Sequence, residues 1–312
     1  MNINVCIPAF YPDKKLTDII EKLNKQTVKV QRICIVNTDE SGFKLDHKKA
    51  CDDSIIPVSL KHIGKEEFDH GKTRNLLASM TDTDCEIMIF MTQDAVPFDD
   101  EMIENLTKPF SDAKIGASYA RQLARDDSSL SEKFTRGFNY PDEDKVKGCK
   151  DIETLGIKAF FCSNVCAAYR KSVFDSLGGF VNRAIFNEDM VYANKLIKAD
   201  YNIYYASKAK VIHTHEYNGV KQFKRNFDLA VSQKMNPEAF DGISSEAEGI
   251  KYIKAAFIYF CKNKRPFTII PFGINCVCKY AGFRLGKNYE SLPMKKILKY
   301  TMNKDFFMGT EK

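Results

Sequence analysis

The sequence predicts an α/β protein whose central sheet is mostly parallel and flanked by helices. Short apolar runs that are typical of strands alternate with segments whose apolar residues recur at helical spacing. One run, residues 86–91, is apolar almost throughout, as in a strand buried on both faces. Polar clusters follow several runs, and ligands of such sheets bind beside the carboxyl ends of the strands. We therefore expect these clusters to share one rim.

Each element follows from its local pattern. The runs that predict strands are, in chain order, 3–7, 32–36, 59–63, 86–91, 159–169 and 211–215. The segments with helical periodicity are 16–23, 71–80, 171–176 and 188–198. Pro8 is expected to end the first strand. The polar segments expected at the rim are 8–11, 37–41, 68–74 and 93–94.

Two regions fall outside this alternation. Residues 126–151 are polar and charged, which predicts a mobile connecting loop over the site. Past residue 220 the pattern becomes helical and basic, and prolines interrupt it. The sequence therefore predicts one α/β domain over residues 1–219 and a helical, basic extension over residues 220–312.

The ten cysteines predict reduced thiols in the cytoplasm. Four of them, Cys6, Cys34, Cys85 and Cys162, lie in apolar runs, where cysteine acts as a small buried hydrophobe. The first residues lack the basic start and apolar core of a secretory leader, and no apolar stretch approaches the roughly 20 residues of a membrane span.

The net charge of +6 is concentrated near the end of the chain. From Lys251 onward there are 13 Lys or Arg against 3 Asp or Glu, a local charge of +10, so the first 250 residues sum to −4. Such a basic, aromatic-rich segment is typical of contact with an anionic surface, with lipid headgroups ahead of nucleic acid. It also fits the solvated face of ordinary helices. A nucleic-acid binder would carry its basic patch on the folded domain, and here that domain is acidic.

Phe68-Asp69-His70-Gly71-Lys72-Thr73-Arg74-Asn75 is the most distinctive stretch. Together with four other stretches, it resembles glycosyltransferase family 2, and within it the bacterial rhamnosyltransferases. The four stretches are Val5-Cys6-Ile7-Pro8-Ala9-Phe10, Asn37-Thr38-Asp39-Glu40-Ser41, Thr92-Gln93-Asp94-Ala95 and Phe186-Asn187-Glu188-Asp189-Met190. The resemblance covers roughly residues 3–215, and residues 279–286 resemble the tail of that group. It implies a GT-A, Rossmann-like fold and an inverting transfer of L-rhamnose from dTDP-L-rhamnose. The implied acceptor is a cell-surface polysaccharide or a lipid-linked glycan.

The resemblance also implies where the donor binds. A glycine turn before a helix offers backbone N–H groups to a diphosphate, and Arg74 adds a charged fork. His70 has the alternative of being a plain loop residue. The residues that the resemblance assigns to the donor are Pro8, Ala9, Phe10, Tyr11, Thr38, Asp39, Phe68, Asp69, His70, Gly71, Arg74, Asn75, Gln93 and Asp94.

A divalent cation, Mg²⁺ or Mn²⁺, is the implied cofactor. Asp94 stands in the place of the family's Asp-x-Asp motif, with one carboxylate instead of two. Mg²⁺ commonly binds one or two carboxylates together with phosphates and water. His213 and His215 are the further candidate ligands, on one face of a predicted strand. The alternative is that the two histidines pack at a strand end.

The resemblance implies that Asp189 is the general base and that Glu188 supports acceptor or loop geometry. Displacement with inversion needs a carboxylate opposite the leaving group to take the proton of the acceptor hydroxyl. The alternative is that both acids cap a helix, since acids favour its first turn.

Two rival functions differ in what they require. The first is a different enzyme class on a similar sheet, a nucleotidyltransferase or a dehydrogenase. A dehydrogenase needs a Gly-x-Gly-x-x-Gly loop after the first strand, and residues 8–13 lack glycine altogether. A catalytically altered nucleotide-sugar-binding or anionic-surface-binding module should lack the acid at position 189, which is present. The sequence thus predicts a transferase at the inner face of the cell membrane that binds a nucleotide sugar and a glycan, without nucleic acid. It leaves open whether copies of the chain form a homo-oligomer.

Overall fold

The structure is a computed structural model that describes residues 1–242 and 247–308. The chain divides into two compact units. The sheet unit comprises Met1–Leu123, Tyr140–Arg183 and Glu188–His213, and the helical unit comprises Ala124–Asn139, Ala184–Asn187 and Thr214–Lys312. The predicted domain boundary at residue 219 stays a prediction.

The sheet unit is built on one mixed sheet of nine strands. In chain order these are β1 (Ile3–Phe10), β2 (Arg32–Thr38), β3 (Val58–Ile63), β4 (Ile87–Met91), β5 (Val96–Pro97), β6 (Ile115–Leu123), β7 (Lys145–Lys147), β8 (Cys166–Arg170) and β9 (Asn202–Ile212).

The strand order is β3-β2-β1-β4-β8-β6-β9-β5, and β7 pairs with β9. Strands β3, β2, β1 and β4 run parallel, as do β6 and β9, whereas β8 is antiparallel to both β4 and β6. The predicted α/β class is confirmed. The carboxyl ends of β1 to β4 therefore lie along one edge.

The described helices, in chain order, are α1 (Lys14–Asn24), α2 (Leu45–Asp52), α3 (His70–Ser79), α4 (Met102–Thr107), α5 (Leu130–Asn139), α6 (Ile152–Leu155), α7 (Lys171–Ser176), α8 (Glu188–Lys198), α9 (Gly219–Met235), α10 (Pro237–Phe240), α11 (Ala247–Lys262), α12 (Ile269–Lys287), α13 (Met294–Tyr300) and α14 (Lys304–Met308). Helix α1 shows how the sequence sets them. Asp13 accepts a hydrogen bond from the Lys15 backbone N–H at the helix start, and the buried residues recur at helical spacing.

The core of the sheet unit lies against the parallel strands. All five residues of β4 are buried, as the continuous apolar run predicts. The four cysteines placed in apolar runs are buried too, and all ten cysteines of the chain are unpaired thiols.

Three local predictions are wrong. The segment 126–151 is not a plain loop, because it contains α5 and β7. Helix α5 has a clear apolar face, which its charged neighbours obscure. Strand β8 begins only at Cys166, after a 3₁₀ turn at Gly156–Phe160. Strand β9 ends at Ile212 instead of spanning 211–215.

In the helical unit, two glycines allow α12 to pack closely on α9. A Cβ atom at Gly282 would lie 2.1 Å from the Phe223 carbonyl oxygen, and one at Gly286 would lie 2.3 Å from that of Phe227. Helices α5, α11 and α12 share a second cluster, in which the ring of Phe134 packs against those of Phe260 and Phe272. Within the described residues, no helix is both long and apolar enough to cross a bilayer.

Candidate active site

The loops after β1 and β4 are joined by one side chain. The Gln93 Oε1 accepts from the Phe10 backbone N–H at 2.8 Å, and its Nε2 donates to the Phe10 carbonyl oxygen at 2.9 Å. Pro8 and Ala9 lie inside β1, which therefore does not end at Pro8. Beyond Cys6, β1 pairs only with β2, so the missing N–H of Pro8 costs no ladder hydrogen bond.

At the ends of β2 and β3, Asp39 is held as a carboxylate. Its Oδ2 lies 2.7 Å from Lys65 Nζ and accepts from the Tyr11 hydroxyl at 2.8 Å, while its Oδ1 accepts from the Ser41 hydroxyl at 2.6 Å. These partners, Lys65 first, hold the pKa of Asp39 well below its usual range. A Cβ atom at Gly42 would lie 2.9 Å from the Tyr11 ring, so a glycine is needed for this approach. Phe10, Tyr11 and Asp39 thus lie together at the rim.

Asp69 caps the helix that follows the distinctive Phe68–Asn75 stretch. Its Oδ1 accepts from the backbone N–H groups of Gly71 at 2.9 Å and Lys72 at 2.8 Å. The expectation that these N–H groups are free for a diphosphate is therefore wrong. Asn75 exchanges two hydrogen bonds with the backbone of Phe180, which ties α3 to the glycine turn before α8.

Arg74 and Glu188 form a buried ion pair. Arg74 Nη1 lies 3.2 Å from Glu188 Oε1, and the two side chains are only 8% and 6% exposed. Nη1 also donates to the carbonyl oxygen of His70. Burial opposes the charge on Glu188, but Arg74 and then His70 keep the pKa of Glu188 below its ordinary value. Burial lowers the pKa of His70 as well, against the attraction of Glu188.

Asp189 lies beside this pair in a different environment. Its Oδ2 accepts from the backbone N–H of Asn164 at 3.2 Å, and its Oδ1 accepts from that of Met190 at 2.8 Å. The Asn164 side chain donates to Glu188 Oε1 at 3.0 Å, so one asparagine contacts both acids. Burial first, and then the negative charge of Glu188, raises the pKa of Asp189 to about 7. This carboxyl can therefore take up or release a proton near neutral pH.

Asp94 faces His213 across the loop after β4. His213 Nε2 lies 3.5 Å from Asp94 Oδ1, and His213 Nδ1 lies 3.0 Å from Gln122 Oε1. Gln122 Nε2 donates to Ser163 Oγ, so Gln122 Oε1 is the acceptor towards the histidine. This network assigns the proton of a neutral His213 to Nδ1, and the lone pair of Nε2 then faces Asp94. An oxygen and a nitrogen donor with this outer support fit a divalent metal ion.

The two histidines do not share a strand face, because β9 ends before both of them. His213 is the last residue of the sheet unit. His215 belongs to the helical unit, where its ring stacks on that of Tyr217 at 5.3 Å.

One further contact connects the candidate base to the Asp94 loop. The Thr92 backbone N–H donates to the Val165 carbonyl oxygen at 3.1 Å, which joins the end of β4 to the residue before β8. Asn164, the neighbour of Val165, contacts Asp189. The loops of the sheet unit that carry Phe10, Asp94 and Asp189 are therefore linked in sequence along one edge.

Sequence reasoning missed two supporting residues. Lys65 pairs with Asp39 although the two lie 26 positions apart in the sequence, and Gln122 lies in β6, a strand without a motif. No signal in the sequence singles out Gln122, because β6 also contains the polar residues Ser118 and Arg121.

The sequence matches a family model described as glycosyl transferase family 2 over residues 4–178. It is 34% identical over 310 residues to the O-antigen chain rhamnosyltransferase RfbN of Salmonella typhimurium. This alignment covers 98% of this chain and 96% of that protein. It is also 34% identical over 287 residues to the O-antigen chain rhamnosyltransferase WbaN of Salmonella anatum, covering 91% and 88%.

Solved structures share the fold at low identity. The mannosyltransferase PcManGT from Pyrobaculum calidifontis, in complex with GDP-Man and Mn²⁺, has a TM-score of 0.59 and 13% identity and covers 99% of this chain and 83% of that one. TarS of S. aureus in complex with UDP-GlcNAc has a TM-score of 0.52 and 11% identity, covering 93% and 91%. The predicted GT-A fold is confirmed. Given the extent of the family match and of both curated relatives, the chain belongs to glycosyl transferase family 2 and is a glycosyltransferase.

Proposed function

We propose that this enzyme transfers L-rhamnose from dTDP-L-rhamnose to a glycan acceptor, with inversion at the anomeric carbon. The donor and the acceptor class are taken from the curated relatives, whose names describe rhamnosyltransferases of the O-antigen chain. The observation that carries the mechanism is the placement of Asp189, which Asn164 holds at the rim beside the Arg74–Glu188 pair.

Asp189 acts as the general base in this proposal. The oxygen of the acceptor hydroxyl forms a bond to the anomeric carbon while the bond from that carbon to the diphosphate oxygen breaks. The hydroxyl proton passes to Asp189, and the electron pair of the broken bond leaves with the nucleoside diphosphate. A base with a pKa of about 7 is well matched to this step at neutral pH. Glu188, fixed by Arg74, positions Asn164 and through it Asp189.

The donor is proposed to lie along the predicted set of residues, with Tyr11 and Asp39 towards the base and ribose. Two buried polar atoms in that set, Thr38 Oγ1 and Arg74 Nε, have no hydrogen-bond partner within the described chain. Both atoms are enclosed by the protein, so a bound donor would reach them only after the surrounding side chains move. Arg74 would then contact the donor through Nε while Nη1 remains on Glu188.

A divalent cation, Mg²⁺ or Mn²⁺, is proposed at Asp94 and His213, with His215 as a third ligand. The carboxylate oxygen and the imidazole lone pair within 3.5 Å of each other are a donor set that such ions accept. His215 follows His213 by two residues, which keeps it within reach along the chain. When bound, the ion would neutralise charge that builds on the departing diphosphate.

A donor panel tests this function. Release of nucleoside diphosphate would be measured with dTDP-L-rhamnose, dTDP-D-glucose, UDP-GlcNAc and GDP-mannose, with and without EDTA. We expect turnover with dTDP-L-rhamnose that EDTA abolishes and Mn²⁺ restores. Equal turnover of all donors would refute the sugar assignment, and full activity in EDTA would refute the metal.

The helical unit is proposed to contact an anionic membrane surface. In α12 the side chains of Ile270, Ile274 and Val277 are 60%, 59% and 68% exposed and form one stripe at helical spacing. The surrounding segment is strongly basic, a combination that favours anionic lipid over water or a neutral partner. The unpaired cysteines fit the reducing, cytoplasmic side of the membrane.

Sedimentation with phosphatidylglycerol vesicles tests the membrane proposal. Val277→Glu should lower the bound fraction severalfold, whereas Val220→Glu, at an exposed position of α9 outside the stripe, should not. Equal binding of both variants would contradict it. Loss of a dimer in Val277→Glu, with vesicle binding intact, would assign the stripe to a second copy of the chain.

A further inference from the structure

A buried tyrosine that the proposed mechanism leaves unused contacts the residue that holds both acids of α8. Tyr169 is in β8, where it pairs with Met88 of β4 and with Ala117 of β6. Its side chain is fully buried. The ring meets four other aromatic rings at centroid distances of 5.4 to 6.0 Å, those of Phe90, Phe174, Phe180 and Tyr192. The strand pairing and this packing fix the position of the Tyr169 hydroxyl.

The Tyr169 hydroxyl donates a hydrogen bond to one acceptor. Its Oη lies 2.7 Å from Asn164 Oδ1, an oxygen that can only accept. Burial is the main cause that raises the pKa of Tyr169 well above its ordinary value, so the hydroxyl keeps its proton. The Cys162 thiol lies 3.7 Å from the same Oη, and burial raises the pKa of Cys162 to about 12, so this thiol is the donor to the tyrosine. The hydrogen bonds thus run in one direction, from Cys162 through Tyr169 to Asn164.

The amide of Asn164 carries this direction on to the two acids. Because Oδ1 accepts from Tyr169, Nδ2 is the atom that faces Glu188 Oε1, at 3.0 Å. The reversed amide would place its oxygen against a carboxylate, which is repulsive. The backbone N–H of the same asparagine donates to Asp189 Oδ2 at 3.2 Å. Tyr169 therefore selects one orientation of the residue that contacts both acids.

We propose that Tyr169 is a positioning residue for the transfer step and that it acts through Asn164 on Asp189. The tyrosine is fully buried, so its hydroxyl touches no substrate. Without the hydroxyl, Asn164 Oδ1 would be a buried acceptor that has lost its donor, which is costly. The amide could then turn away from Glu188, and the N–H contact to Asp189 would loosen. This inference rests on the proposed function, because it takes Asp189 to be the general base.

The groups around Asp189 determine the direction of the expected change. The charged and titratable side chains that face it are Glu188 on its own helix, Arg74 on α3, and the Cys162 and Tyr169 of this network. The hydrogen bond from the Asn164 N–H lowers the pKa of Asp189, against burial and the charge of Glu188. A looser bond should therefore raise that pKa further. The acidic limb of the activity profile, where the rate falls because Asp189 takes up a proton, should then lie at higher pH. Removing the charge of Glu188 should move this limb in the opposite direction.

Steady-state kinetics of the full chain between pH 5 and 9 test the proposal, with the nucleotide sugar that the donor panel identifies. The variants are Tyr169→Phe, Asn164→Ala and the two combined, and the melting temperature of each is measured as well. Tyr205→Phe is the matched control. It removes the hydroxyl of a second buried tyrosine, which donates to the Pro141 carbonyl oxygen at 2.6 Å and contacts neither acid nor Asn164.

Tyr169→Phe should lower kcat about tenfold, the scale of one buried hydrogen bond, with the KM for the donor unchanged and the acidic limb at higher pH. Tyr205→Phe should lower the melting temperature to a similar extent but leave kcat and the limb as in wild type. Adding Tyr169→Phe to Asn164→Ala should cost little more, because the hydroxyl then has no amide to orient.

An unshifted limb in Tyr169→Phe would overturn the proposal, and so would a loss of kcat that adds in full to that of Asn164→Ala. If Tyr169→Phe does not fold, Asn164→Ala alone decides: a limb at higher pH supports the proposal, and an unshifted limb overturns it. Full turnover in Asp189→Asn would refute the proposed function itself. Loss of turnover in Asp189→Asn, with Tyr169→Phe equal to Tyr205→Phe, would refute only the role of Tyr169.

Discussion

The activity of this enzyme is expected to fall as the pH drops through 7, because Asp189, the proposed general base, must be ionised to accept a proton. Burial and the charge of Glu188 raise the pKa of Asp189 to about 7. With that value the ionised fraction is about one half at pH 7, about one tenth at pH 6 and about one hundredth at pH 5. An ordinary aspartate, with a pKa of about 3.9, would remain almost fully ionised over this range. The rate constant kcat/KM should therefore fall about tenfold per pH unit below 7 and level off above it.

The assay is release of nucleoside diphosphate from dTDP-L-rhamnose with acceptor between pH 5 and 9. Asp189→Asn should lose about 10²- to 10⁴-fold in kcat and lose the acidic limb as well. Glu188→Gln removes one cause of the raised pKa of Asp189. The acidic limb of the pH profile, measured on the residual activity of this variant, should therefore move to lower pH. Asp200→Asn, at an exposed acid that pairs with Lys114, should leave the profile unchanged. A flat wild-type profile, or the same limb in Asp189→Asn, would refute the reasoning.

The same pKa predicts the sign of a stability change. Because the folded-state pKa of Asp189 lies above its unfolded value, the folded state binds this proton more tightly. The stability that results is fully present below about pH 4 and is lost as the pH rises through 7. Asp189→Asn should thus raise the free energy of unfolding more at pH 8 than at pH 5, relative to wild type. Urea denaturation at the two pH values measures it.

Three other perturbations have defined outcomes. Arg74→Met should destabilise the protein by about 3–5 kcal/mol in urea denaturation, because Glu188 would stay buried without its partner, and Glu188→Gln in the same background should recover part of the loss. Gly282→Ala should destabilise by about 1–3 kcal/mol, since its methyl group would overlap the backbone of α9. Gly273→Ala in the same helix meets nothing within 4 Å and should stabilise by up to about 1 kcal/mol, so equal effects of the two would contradict the packing argument. Gln122→Leu should weaken Mn²⁺ binding about 10- to 100-fold in a metal titration, because Gln122 orients His213. Unchanged affinity would show that this hydrogen bond does not support metal binding.

The parallel half of the sheet could be predicted from the sequence because three of its strands, β1, β2 and β4, are buried almost throughout their length. Strand β4 is buried at every position, and its apolar character is visible without knowledge of any partner. The pairing of β8 between β4 and β6 could not be predicted, because an antiparallel insertion leaves no mark in the local pattern. The same holds for α5, whose apolar face lies among charged residues.

The residue types of the candidate site were predictable, but several of their contacts were not. Asp69 was expected near a diphosphate, and the structure shows it bonded to the N–H groups that were expected to be free. Capping and anion binding use the same helix start, so sequence alone cannot separate them. The Arg74–Glu188 pair joins residues that lie 114 positions apart, and only the packed fold brings them together.

The two neighbouring acids of α8 have environments that push their pKa values apart. Arg74 lies against Glu188 and keeps it charged, and that charge in turn helps to hold the pKa of Asp189 near neutrality. Such a divergence is how adjacent carboxyls come to serve different roles, one structural and one in proton transfer. A parallel argument applies to Asp94. A metal bound by one carboxylate and a neutral imidazole keeps one more positive charge than a metal bound by two carboxylates, and this charge would act on the leaving diphosphate. The single aspartate is therefore compatible with metal-assisted departure, because the hydrogen bond between His213 Nδ1 and Gln122 Oε1 leaves Nε2 as the nitrogen that would bind the ion.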